Sequence, residues 1–176
     1  MVGKKYNLEA ALIAGFILAE QRGQSQNEDA KDYLGAVSLK EVNMSIGLGQ
    51  VVISTVEKHN LFDDFQAAGT SKSASHKTIA GMLTSDEFNI IAVARYIRWV
   101  ADQAAVLSIA KLPNTKAKFP GINLSEFKRH SQYWPDDNIR ALGSEYTSTA
   151  WDGRLSPGRG DFVLSAVRDI KAAGVL

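Results

Sequence analysis

Glu20 closes the apolar run from Leu8 to Ala19, and Gly47 stands 27 residues further on in the string Ser45-Ile46-Gly47-Leu48-Gly49-Gln50-Val51. Burial in a low-dielectric setting disfavours the charged form of a carboxyl, so a glutamate at the end of a greasy helix can be held protonated near neutral pH. Such a group is a candidate general acid. Glycine removes the side chain that would block close approach, so Gly47 and Gly49 can bring backbone and the Gln50 amide near a polar ligand. Together the two segments imply a cleft for a hydroxyl-rich molecule such as a sugar. The competing reading of Glu20 is an exposed helix-terminal glutamate, the usual place for that residue type.

The elements that must hold these residues are mainly helical. Asn7 can cap a helix running to about Arg22, with Gly23 ending it. Leu8, Ala11, Leu12, Gly15, Phe16 and Ala19 recur at helical spacing while Ile13, Ile17 and Leu18 fill other faces, which implies deep burial. Residues 24–29 read as loop, and residues 30–42 as a short helix or a small irregular strand pair. Any minor β element is expected between Gln24 and Ser45. A helix is expected over residues 51–61 and a mobile loop over 69–77. Thr84-Ser85-Asp86-Glu87 has the form of a capping box opening a long buried central helix from Phe88 to about Lys111. Pro113 and Pro120-Gly121 then mark a connector, followed by short helices over 124–130, 137–142 and 160–173.

A chain of 176 residues fits one domain, residues 1–176, with a substantial core. The hydrophobic share of 45% against 22% charged is that of a globular chain rather than a disordered one. A net charge of +1 supplies no field for nucleic acid. With no cysteine, disulfides, thiolate catalysis and cysteine-ligated zinc are all excluded. His59, His76 and His130 lack metal-ligand spacing, so no metal and no cofactor are expected. Lys4 and Lys5 before the apolar stretch imitate a signal peptide, but Glu9 interrupts the pattern and the run is too short to span a bilayer. It reads as a core helix, in a protein without a membrane span.

At Glu20, at Ser45 with Gly47 to Val51, and at Asn89-Ile90 followed by Tyr96-Ile97-Arg98, the chain resembles the lysozyme-like superfamily, in its soluble lytic transglycosylase and goose-type lysozyme branch. Gly49 stands where that branch has methionine in Gly-Leu-Met-Gln, and Val93 where it has a small residue. A fourth family segment, Ala-Tyr-Asn-x-Gly, is matched best by Tyr146-Thr147. The resemblance covers residues 8–110 and implies a mainly α, lysozyme-like single domain. It also implies cleavage of peptidoglycan at the β-1,4 bond between N-acetylmuramic acid and N-acetylglucosamine, with Glu20 protonating the leaving oxygen.

The same resemblance makes Asp29 and Asp32, beside Glu28, candidates for positioning water. An inverting hydrolase needs such a base roughly 6.5 to 9.5 Å from the acid, whereas a lytic transglycosylase uses the substrate's own hydroxyl. Ser45, Gly49, Gln50 and Tyr96 are the candidate glycan contacts, with Glu145 and Tyr146 in a segment of mixed polarity that suits a cleft wall. A core tyrosine and a surface turn are the plainer readings of Tyr96 and of the Glu145 segment. Trp134 and Trp151, in expected loops, could stack on sugar rings, and Trp99 on the central helix less so. The Arg159-Gly160-Asp161 string is explained by a turn opening the last helix.

The biological setting implied is an antibacterial toxin acting in the periplasm or cell wall. It would be delivered without a cleaved N-terminal signal, by a delivery-system carrier, and neutralised by an immunity protein. The alternatives are a phage endolysin, an inactive lysozyme-like module binding glycan or protein, and an unrelated helical regulator.

Overall fold

Asn7 adopts a left-handed backbone, φ 59°, and that angle sets the first turn of the chain. The Leu8 amide donates to the Gly3 carbonyl at 2.9 Å and the Asn7 amide to that of Lys4 at 3.4 Å. This is the paired closure that ends a helix with a left-handed residue, a conformation asparagine tolerates better than most. Asn7 therefore terminates α1 (Val2–Lys5) and does not cap α2 (Ala10–Gly23). The first bonds of α2 run instead to the Glu9 carbonyl, from Leu12 and Ile13.

The computed structural model describes residues 2–23, 44–62, 75–146 and 151–174. Contacts divide the chain into two compact units, residues 20–96 and residues 1–19 with 97–176. The fold is mainly α with one small antiparallel sheet among the described residues, β1 (Ser45–Ile46) against β2 (Val51–Val52), in the register Ser45 to Val52 and Ile46 to Val51. The β element lies around the two glycines. The sequence had placed it between Gln24 and Ser45, where residues 24–43 lie outside the described part.

In the unit of residues 20–96, β2 leads directly into α3 (Ile53–Lys58), which is shorter than the pattern implied because Val51 and Val52 belong to the sheet. Ser75 caps α4 (His76–Leu83), its hydroxyl accepting the Thr78 amide at 3.2 Å. Thr84 does not form the expected capping box. Its hydroxyl turns back to the Gly81 carbonyl at 2.7 Å and closes α4. The long helix α5 (Asp86–Ala105) then starts with Asp86 and Glu87 in its first turn, where acidic groups favour the helix dipole. Ala92, Val93 and Ala94 are consecutive and fully buried, so α5 is covered on all sides there, as the apolar pattern required.

The helix stops at Ala105, before the expected Lys111, and Val106 and Leu107 follow it exposed to solvent. A 3-10 turn over Ile109–Lys111 leads to Pro113, which opens α6 (Pro113–Lys118) rather than marking a connector. A proline at the first helical position loses no bond, because its missing N–H had no partner there. Asp152, itself left-handed at φ 73°, accepts the Thr115 amide at 2.7 Å and so caps that short helix from a distant part of the chain.

The unit of residues 1–19 and 97–176 is built on α7 (Asp136–Glu145) packed against α8 (Pro157–Ala173). The two backbones approach at glycines. A Cβ on Gly160 would lie 2.2 Å from the Arg140 carbonyl oxygen, and one on Gly143 would lie 2.9 Å from Val163 Cβ. Arg140 spans the same crossing, bonding Asp137 on its own helix at 2.7 Å and Asp161 on α8 at 2.6 Å. The Arg159-Gly160-Asp161 string is thus helical and partly committed to packing. Glu9 is held in this unit by the Ser131 hydroxyl at 2.7 Å and by Lys171 at 2.7 Å. Trp134 is buried edge-on to Phe127, centroids 4.9 Å apart, with its indole N–H given to the Arg129 carbonyl. It lies between helices, as the sequence suggested, but as a core residue rather than an exposed one.

The glycine crossing makes a direct prediction. Gly160→Ala should destabilise the protein by about 1–3 kcal/mol, the usual cost of overpacking. Gly158→Ala, whose Cβ would meet nothing within 4 Å, should leave the melting temperature unchanged or slightly raised, and thermal melting of the two variants side by side checks the contrast.

Candidate active site

Glu20 lies on α2, half-buried, within one turn of the helix end at Gly23. The next residue, Gln21, donates from its side-chain amide to the Leu48 carbonyl at 2.8 Å. The turn that carries Glu20 is therefore bonded to the hairpin loop of residues 47–50. Glu20 and the glycine string, far apart in sequence, belong to the same unit.

The hairpin loop has an unusual backbone. Gly47 has φ 77° and Gln50 has φ 48°, and the Gln50 amide closes the loop on the Gly47 carbonyl at 2.9 Å. Glycine enters the left-handed region freely, but glutamine does so only at a cost. The Gln50 side chain offsets that cost locally. Its Nε2 donates to the Gly47 carbonyl at 3.0 Å and its Oε1 accepts the Ser45 hydroxyl at 2.8 Å. Ser45 and Gln50 thus meet, and their mutual bond spans the hairpin.

The base of the loop is held by Asn89, fully buried on α5. Its Nδ2 donates to the carbonyls of Ile46 at 2.7 Å and Leu83 at 3.1 Å, while its Oδ1 accepts the Gly49 amide at 2.7 Å. One side chain satisfies three backbone groups from three segments. The glycines are needed because the loop sits directly on it. A Cβ at Gly47 would be 2.3 Å from Asn89 Nδ2, and one at Gly49 would be 2.1 Å from a Val93 methyl. The sequence reading had the glycines admit a ligand. In the structure the close approach they permit is to α5, and Gly49 is buried with its N–H given to Asn89.

Tyr96 is buried on α5, its ring 5.6 Å from that of His59 at the end of α3. Burial and the neighbouring Lys58 hold the His59 pKa below its ordinary value of 6.5. Asp29 and Asp32 lie outside the described residues. Glu145 and Tyr146 belong to the other unit, at the end of α7, and both are buried; the Tyr146 ring lies 5.0 Å from that of Phe16. Among the described residues no three potential metal ligands cluster, and no helix is long and apolar enough to cross a membrane.

Two residues of this arrangement were not among the candidate site residues, although Asn89 stands in a segment that carries the family resemblance. Asn89 had a signal, since an amide inside an otherwise apolar helix must find buried partners. Gln21 had none, because nothing in the sequence tells which surface amide reaches a carbonyl 27 residues away.

Residues 1–102 match the family described as T6SS, Peptidoglycan muramidase Tse3, catalytic domain. The chain belongs to that family. It is also 52% identical over 160 residues to the peptidoglycan muramidase Tse3 of Pseudomonas aeruginosa, an alignment covering 91% of this chain and 39% of the relative. The chain thus spans about two fifths of that relative's length. The stretch matched to the Tse3 family includes Glu20, the hairpin, Asn89 and Tyr96, and ends before Glu145 and Tyr146.

Two outcomes follow from this geometry. Asn89→Ala leaves buried backbone groups without partners, at about 1–3 kcal/mol for each such group, so denaturant unfolding should show a loss of at least that size. For His59 the folded pKa lies below the unfolded one, so the neutral form is the native one. Its contribution to stability is present above pH 6.5 and is lost as pH falls from there through the lower folded-state value. Replacing His59 with glutamine should remove that part of the pH dependence, measured as unfolding free energy across the window.

Proposed function

We propose that this chain is a peptidoglycan-cleaving catalytic domain, a muramidase acting on the β-1,4 bond between N-acetylmuramic acid and N-acetylglucosamine, with Glu20 as general acid. The observation that carries the reading is the bond from Gln21 to Leu48, which places the turn bearing Glu20 against a hairpin loop of the family's catalytic segment. A glycosidic bond breaks when the leaving oxygen is protonated as the sugar ring develops positive charge. A half-buried carboxyl on a tethered helix turn suits that task.

In this reading Ser45 and Gln50 form one wall for the sugar, with Gly49 beneath them setting the loop on α5. Tyr96 supports that wall from α5. The chain works as one catalytic domain. Asp29 or Asp32 positions the attacking water in the hydrolytic form of the reaction. That the Pseudomonas aeruginosa relative is a muramidase supports hydrolysis as the reaction class. The family's T6SS description supports a toxin delivered to the periplasm by secretion machinery, and our reading adds an immunity protein as its partner.

The test is digestion of purified peptidoglycan by the wild-type chain and by Glu20→Gln, with the products read by mass spectrometry. Wild type should release fragments with new reducing ends, and the variant should lose about a hundredfold or more of the rate while melting normally. A folded Glu20→Gln variant of near-normal activity would remove Glu20 from the chemistry. Products ending in 1,6-anhydro-muramic acid would replace hydrolysis with substrate-assisted transglycosylation.

A further inference from the structure

A general acid must hold its proton within hydrogen-bond reach of one particular oxygen, and misplacement by about 1 Å can cost a hundredfold in rate. Glu20 sits where such control is hardest. Its helix ends within one turn, at Gly23, and the last turn of a helix has carbonyls without intrahelical partners. The final turn of a helix frays unless something outside it holds on.

Gln21 supplies the hold. Its side chain is exposed, yet its Nε2 lies 2.8 Å from the Leu48 carbonyl. That carbonyl is a firm anchor, because the loop around it is fixed from beneath. Asn89 binds the flanking Ile46 carbonyl and Gly49 amide, and Gly47 and Gly49 have no room to shift toward α5. The chain of contacts therefore runs from the buried Asn89 through the loop to Leu48, across to Gln21, and by one peptide bond to Glu20. All of these residues lie in the unit of residues 20–96.

We propose that Gln21 is a positioning residue, whose amide fixes the Glu20 turn on the Leu48 carbonyl and so sets where the acid presents its proton. This rests on the reading of Glu20 as the general acid. Gln21 itself does no chemistry. A single exposed bond contributes little to global stability, but it acts on the one turn whose placement the reaction senses.

The experiment compares the purified wild-type chain with Gln21→Met, Gln21→Arg and Glu20→Gln, using soluble glycan chains cut from peptidoglycan so that kcat and KM separate. Methionine keeps the length and helix preference of glutamine but donates nothing. Gln21→Met should lower kcat about tenfold, leave KM within about twofold, and melt with wild type, the signature of an interaction that matters in the transition state. Gln21→Arg, which still donates to the carbonyl, should recover kcat to within about threefold. A Gln21→Met variant with unchanged kcat, a loss carried by KM or by melting temperature, or an equal loss in Met and Arg would each overturn the proposal. Glu20→Gln separates the two readings: if it stays active, the assignment of the acid fails and this inference falls with it. If it is dead while Gln21→Met is normal, only the positioning role is lost.

Discussion

The unit that carries the candidate site depends on one amide. Asn89, buried without exposure on α5, binds the carbonyl that ends β1, the carbonyl that ends α4 and the amide of Gly49. Each of those groups would otherwise be a polar atom facing an apolar helix, and leaving such a group unmade costs far more than the net gain of forming an ordinary bond. The two-residue strands of the sheet are too short to be stable by themselves. Their register, the tight loop and the arrival of α4 are all set at the same side chain.

The other unit solves its packing differently. There the tight contact is helix on helix, with glycine at both faces and an arginine bridging two carboxylates across the crossing. The guanidinium is held further toward its charged form by those two partners, chiefly through the bonds to Asp161 and Asp137. Polar side chains again substitute for regular backbone pairing. Asn138 exchanges two bonds with the backbone of Asn123, both at 2.8 Å, in the manner of one rung of a sheet. Asp152 closes the start of α6 in the same spirit.

Much of this was legible in the sequence where burial makes the pattern. The apolar coverage of α2 and α5 and the mainly α class follow from residues that must leave water. What was not legible depended on choices between partners for small polar groups. Asn7 and Thr84 each have the composition of a helix start, and each is used to end the preceding helix, because a donor or acceptor there was closer. Pro113 reads equally as a stop and as a first helical residue, and only the neighbouring Asp152 decides. The glycines were recognised as places of close approach, but the approaching partner was the protein itself. Gln21 carries no signature, since its partner is a main-chain atom that any sequence would possess.

The left-handed backbone at Gln50 restricts what could ever stand there. A glycine would relax the angle but abandon the bonds to Gly47 and Ser45. An asparagine would accept the angle, as it does at Asn7, but its amide is one methylene shorter and would not reach both partners from the same backbone. A β-branched residue would be excluded by the angle alone. Glutamine is thus the residue type that meets a backbone demand and a reach demand together, and sequence drift at this position is confined by geometry before any ligand arrives. Variation in a lineage carrying this loop should therefore accumulate around position 50 and not at it.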